Sequence, residues 1–126
     1  MNDYRPHMLP KIRSEMVMNR AKGMPCTYRI ASFVPGLQCS GPETTVGGHI
    51  ATPGKAMSTK STDIAMGFIC ATCHAIQEGH DTTSRAYIAR NFEVEFQARQ
   101  TQALIETWTL LIMDGAIIIP DAEIIT

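Results

Sequence analysis

Hydrophobic positions follow helical spacing at both ends of the chain and form strand-like runs in between. Pro6 and Pro10 predict an extended arm over residues 1–10, because proline disfavours an early helix. Pro10 also suits a first helical turn and Gly23 a helix end, which predicts a helix from Pro10 to about Lys22. The apolar face of this helix would carry Ile12, Met16, Val17 and Ala21.

The middle of the chain contains three segments of strand-like composition, at Cys26–Val34, Glu43–Ile50 and Ile64–Ile69. Residues 51–63 are rich in Gly, Ser and Thr, which is typical of a loop that runs over a site. The chain from Cys70 to about Glu78 is predicted to form a short helix directly after the third segment.

The longest periodic stretch runs from Ser84 to about Met113 and predicts a long helix. Asp81, Thr82 and Thr83 are its candidate N-caps. Residues 116–120 would form a final strand or a tail packed on the core. Together these elements predict a single α+β domain over residues 11–126, with an N-terminal helix and a long C-terminal helix.

Charge is spread unevenly, although the net charge of the 126 residues is only -1. Residues 1–29 carry six basic and two acidic side chains, whereas residues 81–126 carry three arginines and seven acids. The basic N-terminal segment could contact phosphates, or it could be a solvated helix face. Charge alone does not decide between these two interpretations.

No apolar run approaches the roughly 20 residues that a membrane span requires. Residues 1–10 lack the apolar core of a secretion signal, which predicts a cytoplasmic protein. A reducing compartment favours cysteines as metal ligands over disulfides.

The four cysteines of the chain are Cys26, Cys39, Cys70 and Cys73. Two of them lie three positions apart and can reach one metal ion from a single turn, and the other two can complete a tetrahedron. Zn²⁺ prefers such a closed set of four soft ligands. The spacing therefore predicts a structural zinc site that uses every cysteine.

Other interpretations of Cys70-Ala-Thr-Cys73-His74 remain open at this point. The segment has the spacing of c-type haem attachment, with His74 as axial ligand, but haem would leave Cys26 and Cys39 without a role. A redox Cys-x-x-Cys pair would be expected within a βαβ pattern, which is not found here. Four buried free thiols are the simplest alternative.

Three further side chains are candidates for chemistry. His49 follows two glycines at the end of a predicted strand, and an imidazole there can act as a general base or as a hydrogen-bonded structural group. His74 could bind a second, catalytic metal ion, orient a phosphate or cap a helix. Asp63 could hold a hard metal ion, fix His49, or lie on the surface.

The chemistry-bearing residues occur in a characteristic order. Cys26 is followed by Cys39, His49-Ile50, Asp63-Ile64 and Cys70-Ala-Thr-Cys73-His74, with Ala98-Arg-Gln-Thr-Gln, Trp108 and Gly115 towards the C-terminus. This order resembles the HNH (ββα-metal) endonuclease superfamily with a four-cysteine zinc knuckle. More closely, it resembles the YbcO-like prophage putative nuclease family, over residues 11–119.

The resemblance implies that strands near Thr44–Ile50 and Ile64–Ile69 form a hairpin and that the helix from Cys70 packs against it. It also implies that the four cysteines hold a structural zinc ion. It implies that His49 activates water to attack a DNA phosphodiester. Mg²⁺ or Mn²⁺, held by His74, would stabilise the developing charge. DNA would be the partner, with phage recombination proteins and a second copy of the chain as further candidates.

Two departures from the HNH pattern are evident. The family usually places a His or Asp directly before the general base, whereas this chain has Gly48. The Asn that orients the base has no clear counterpart, and Asp63 is offset from its position. A non-catalytic zinc-knuckle module that binds nucleic acid or a phage recombination protein is therefore the alternative function.

Overall fold

The structure, a computed structural model, describes residues 10–50 and 62–126. The predicted arm, apart from Pro10, and most of the predicted loop at 51–63 lie outside these residues. The described elements are α1 (Glu15–Asn19), β1 (Val46–His49), β2 (Met66–Ile69), α2 (Ala71–Gln77), α3 (Thr82–Asn91) and α4 (Glu93–Met113). Two short 3-10 helices, Ile30–Phe33 and Pro42–Thr44, precede β1. The mixed helix and strand content agrees with the predicted α+β class.

The two strands form an antiparallel pair in which His49 lies opposite Met66 and Val46 lies opposite Ile69. Because side chains alternate across a sheet, Met66 and Phe68 face one side and Ile69 faces the other. Both sides are packed. Met66 and Phe68 join a cluster with Ala21 and Leu111, and Ile69 joins a larger cluster that includes Tyr28, Ile76, Ile88 and Phe96.

The outer edge of β2 is covered by two threonines. Thr27 N–H donates to the Phe68 carbonyl (2.8 Å), and Phe68 N–H donates to Thr27 Oγ1 (3.0 Å). Thr107 of α4 lies 3.0 Å from Thr27 Oγ1 and also accepts from Phe68 N–H. The outward backbone groups of Phe68 are thus satisfied without a third strand.

The strand predicted over Cys26–Val34 is wrong. Arg29 adopts a left-handed conformation (φ 48°), and Ile30–Phe33 coils into a 3-10 helix. The apolar composition of this segment fits its burial, but the turn needed to bring Cys26 to the other cysteines prevents an extended backbone.

The first helix begins at Glu15 and not at Pro10, because Ser14 is its cap and Ser14 Oγ accepts from Val17 N–H (3.2 Å). It ends at Asn19 and is followed by turns up to Gly23, which has φ 78°. Ala21 is buried as predicted, whereas Ile12 and Met16 of the predicted apolar face are about half exposed.

The predicted long helix is two helices, α3 and α4, separated by Phe92 with φ -141°. Its ring stacks on Phe33, with ring centroids 5.3 Å apart, so burial of the ring competes with helical continuity. Asp81 is the cap of α3, one of the three predicted candidates. Residues 116–120 form no strand; Ala116 and Ile117 pack beside Leu111.

Candidate metal centre and histidine site

Cys26, Cys39, Cys70 and Cys73 converge, and their sulfur atoms all lie within 4.8 Å of one another. The Sγ atoms of Cys39 and Cys73 are 3.6 Å apart. Two thiolates on one tetrahedral Zn²⁺, each with a bond of about 2.3 Å, would be about 3.8 Å apart. The cluster therefore has the size and donor set to hold a metal such as zinc.

Local backbone geometry directs N–H groups at these sulfur atoms. Cys70 caps α2 and accepts from Cys73 N–H (3.5 Å), and Cys73 accepts from Ala31 N–H (3.4 Å). Cys26 accepts from Arg29 N–H (3.4 Å). Such outer hydrogen bonds stabilise thiolates and fix their orientation.

The acidities of the thiols show why a cation suits this cluster. A hydrogen bond from Cys73 lowers the pKa of Cys26 to about 5. Burial and the neighbouring Cys26 thiolate raise the pKa of Cys39 to about 12. The hydrogen bond to Cys26 and burial likewise raise the pKa of Cys73. The negative charge of one thiolate thus suppresses ionisation of the neighbouring thiols. A bound divalent cation would neutralise this charge and lower the pKa of those thiols.

The second feature is a contact between His49 and Asp63. His49 lies at the end of β1, and its Nε2 is 3.0 Å from Asp63 Oδ1. The side chain of His49 is 22% exposed and that of Asp63 is 8% exposed. The contact joins two of the predicted site residues across the segment at 51–61, and solvent can still reach the imidazole.

The Asp63 carboxylate is held in its ionised form by several donors. Burial opposes ionisation, but the hydrogen bonds from His49 and Ser14 N–H and the charge of Arg13 together hold the pKa of Asp63 below its ordinary value. Ser14 N–H donates to Oδ2 (2.7 Å) and Arg13 Nη1 to Oδ1 (3.3 Å). Residue type does not predict the Ser14 donor, because it is a backbone group.

Tyr28 connects the cysteine cluster to the strand that carries His49. It lies two residues after Cys26, and its hydroxyl donates to the Gly48 carbonyl (2.9 Å). Its ring fills the space above Gly67, where a Cβ would lie 2.6 Å from the ring. Sequence reasoning missed this residue, since a tyrosine in an apolar run has many structural uses.

Gly48 has a steric reason to be glycine. It is buried, and a Cβ there would lie 2.7 Å from Cγ2 of the fully buried Ile69. Successive residues of a strand face opposite sides, so a side chain at position 48 would point into the core and away from the side of His49.

His74 lies on α2, partly exposed, with its Nε2 3.6 Å from Glu78 Oε1. Within residues 10–50 and 62–126, the four cysteines form the one group of three or more His, Cys, Asp or Glu donors compact enough to hold a metal. The helix does reach the end of β1, because Gln77 Nε2 donates to the His49 carbonyl (3.4 Å). The structure does not bring His74 into a three-donor set with His49 and Asp63.

Several basic residues of the N-terminal segment form ion pairs within the chain. Their pairs are Arg13 with Asp63, Arg20 with Asp114, and Arg29 with Glu106. Arg5 lies outside the described residues. No helix within the described part of the chain is long and apolar enough to cross a membrane.

Together these observations define a small α+β domain built around a four-cysteine cluster that can hold a metal ion. The model of the family described as "Putative nuclease YbcO" matches residues 15–109, so the chain belongs to that family. No curated protein and no solved structure matches the chain. The family name indicates a nuclease.

Proposed function

We propose that this protein is a metal-dependent endonuclease of the HNH type that hydrolyses phosphodiester bonds in DNA, with His49 as general base. The observation that carries the proposal is the His49–Asp63 contact at the end of β1, in a strand–strand–helix unit beside the cysteine cluster. The nuclease family to which the chain belongs supports the same conclusion. The prophage origin and cytoplasmic location predicted above are part of this proposal.

The chemistry assigned to His49 follows from its hydrogen bond. An ionised carboxylate only accepts hydrogen bonds, so Asp63 fixes the neutral imidazole with its proton on Nε2. The lone pair then lies on Nδ1, where it can take a proton from water. The resulting hydroxide attacks the phosphorus, and the bond to the 3′-oxygen breaks as that oxygen leaves. A carboxylate that orients a histidine in this way has the role of the aspartate in a catalytic triad.

The proposal assigns the four cysteines to structural Zn²⁺ and keeps His74 as the protein ligand of Mg²⁺ or Mn²⁺. Such an ion would stabilise the developing charge and the leaving oxygen. Mg²⁺ commonly takes one or two protein ligands together with substrate phosphate oxygens. The described residues offer no preformed three-donor site beside His49.

The alternative is a non-catalytic zinc-knuckle module that binds nucleic acid or a phage recombination protein. Two observations favour it. Gly48 stands where the HNH pattern places a ligand and has no room for a side chain, and His74 Nε2 contacts Glu78. A binding module would keep the cysteine cluster and would not need His49.

The test is nicking of supercoiled plasmid by zinc-loaded protein with Mg²⁺, Mn²⁺ or Ni²⁺ added in turn. The variants are His49→Ala, Asp63→Asn and His74→Ala, with His80→Ala as control because His80 is exposed on the turn between α2 and α3. We expect metal-dependent nicking that is lost in His49→Ala and reduced in the other two site variants. The control should match the wild type.

The alternative predicts a different result in the same experiment. No variant, including the wild type, would nick DNA, while binding to DNA or to a protein partner would survive in His49→Ala. Equal nicking by the wild type and His49→Ala would contradict the proposed general base.

A further inference from the structure

Residues 12–14, here called the N-terminal strap, run beside Thr62 and Asp63. Ile12 N–H donates to Thr62 Oγ1 (3.0 Å), and Asp63 N–H donates to the Ile12 carbonyl (2.8 Å). Ser14 N–H then donates to Asp63 Oδ2 (2.7 Å). These backbone contacts hold the strap against the residue that contacts His49.

Both oxygens of the Asp63 carboxylate are engaged. Oδ2 accepts from Ser14 N–H, and Oδ1 accepts from His49 Nε2 and from Arg13 Nη1. A carboxylate fixed at both oxygens cannot rotate about its side-chain bonds without losing a charge-assisted hydrogen bond. Its side chain is 8% exposed, so water offers little replacement.

We propose that the N-terminal strap is the positioning part of the histidine site: it fixes Asp63, and through Asp63 it fixes the Nε2–H form and the orientation of His49. Arg13 and the Ser14 N–H act through Asp63 and are positioning groups. That this arrangement serves hydrolysis rests on the proposed function. The strap lies just before residues 15–109, the part that the family model matches.

The N-terminal strap is also connected, through α1, to the strand that carries His49. Ser14 Oγ caps α1 while Ser14 N–H holds Asp63, so one residue fixes both the start of the helix and the carboxylate. The helix packs closely on β1, because a Cβ at Gly47 would lie 2.9 Å from Met18 Cε and 3.1 Å from the Met18 carbonyl. The strap therefore fixes Asp63 by a hydrogen bond from Ser14, and α1, which follows the strap, packs on the strand that carries His49.

Nuclear magnetic resonance of the full-length, zinc-loaded protein tests the strap without reference to activity. In the wild type we expect a downfield Ser14 amide proton and a His49 ring with its proton on Nε2. Asp63→Asn should move the Ser14 amide upfield and give a mixture of His49 tautomers. Arg13→Ala should shift both signals in the same directions, and Arg13→Lys should restore most of the change.

Arg20→Ala is the matched control, because Arg20 has similar exposure and pairs with Asp114. It should leave both signals unchanged. A Ser14 amide and a His49 tautomer that do not respond to Asp63→Asn would overturn the inference, whatever the activity of the protein.

Single-turnover DNA cleavage then tests the catalytic consequence. Arg13→Ala should lower the cleavage rate about tenfold, with Arg13→Lys recovering most of it, as expected for groups that orient a catalytic side chain. If the NMR signals respond as expected but the wild type does not cleave DNA, the proposed function fails and the strap stands. If the signals respond and Arg13→Ala cleaves at the wild-type rate, the positioning role of Arg13 is wrong.

Discussion

The hydroxyl of Tyr28 donates a 2.9 Å hydrogen bond to the carbonyl of Gly48, so the backbone beside Cys26 is tied to the residue before His49. Tyr28 is fully buried, and burial and the neighbouring Cys26 thiolate raise its pKa, so the phenol remains a donor. The cysteine cluster and the histidine site are therefore mechanically connected through one side chain.

The Tyr28→Phe variant should still bind the metal, but it loses the hydrogen bond that attaches Tyr28 to β1. The buried Gly48 carbonyl would lose one of its donors, which should lower the free energy of unfolding by about 1 kcal/mol. Zinc content, measured by mass spectrometry of the purified protein, should remain one per chain. Denaturant unfolding gives the stability, and Tyr87→Phe controls for loss of a hydroxyl elsewhere. Loss of zinc in Tyr28→Phe would contradict this division of roles.

Replacement of a cysteine should remove the metal and unfold the core. Cys73→Ser breaks the cluster at a fully buried position, and Cys39→Ser breaks it at the most exposed one. Structural zinc supplies on the order of 10 kcal/mol in small domains, so both variants and chelated wild type should lose helical circular dichroism. Protein that is fully folded without any metal, when purified without chelators, would contradict the zinc assignment.

The Arg29–Glu106 pair should make a pH-dependent contribution to stability. The two terminal guanidinium nitrogens of Arg29 donate to the carboxylate, at 2.8 and 2.7 Å, and these hydrogen bonds hold the pKa of Glu106 below its ordinary value. A lowered folded-state pKa means that the stabilisation is present above the unfolded value, about 4.3, and is lost as the pH falls through the folded value.

Glu106→Gln isolates this contribution. At neutral pH the variant should be less stable than the wild type by up to about 1 kcal/mol, since the pair is partly exposed. The difference should shrink as the pH falls below about 4. Urea unfolding of both proteins across this range measures it, and the comparison cancels the acid sensitivity of the cysteine cluster. A difference that is constant with pH would exclude an ionic origin.

Gly48→Ala should destabilise the protein, because the new Cβ meets Ile69 Cγ2 at 2.7 Å in a packed core. Overpacking of this kind typically costs about 1–3 kcal/mol. The cost should be smaller in an Ile69→Ala background, which removes the obstructing methyl group, and a double-mutant cycle of unfolding free energies measures the coupling. Independent effects of the two substitutions would refute the steric explanation of Gly48.

The two strand segments and α2 could be predicted from the sequence because their signals are local. Flanking glycines and short apolar runs lie within a few residues of the elements they specify. The four-cysteine cluster is predicted from the metal chemistry of its side chains, and the pairing of the strands into a hairpin is implied by the family resemblance. Phe92 illustrates the opposite case. Nothing near it in sequence predicts a helix break, because the break depends on stacking with Phe33 from a distant part of the chain.

The candidate site shows the same limit. His49 and Asp63 could be named from residue type, and the contact between them agrees with one of the roles considered for Asp63. The Ser14 N–H is a backbone group and leaves no trace in residue identity. The strand predicted at Cys26–Val34 failed since cysteine geometry, not apolar composition, decides the backbone there.

Both His49 and Asp63 lie between Cys39 and Cys70, inside a loop that a bound metal ion would close. Bringing together the ends of a flexible loop of about thirty residues costs about 3 kcal/mol in chain entropy. Metal binding by the four cysteines would offset this entropy cost, so that β1 and β2 could pair within a loop that is already closed. A newly made chain would then acquire its histidine site in step with zinc supply, and metal-starved chains would be open to proteolysis over this same loop.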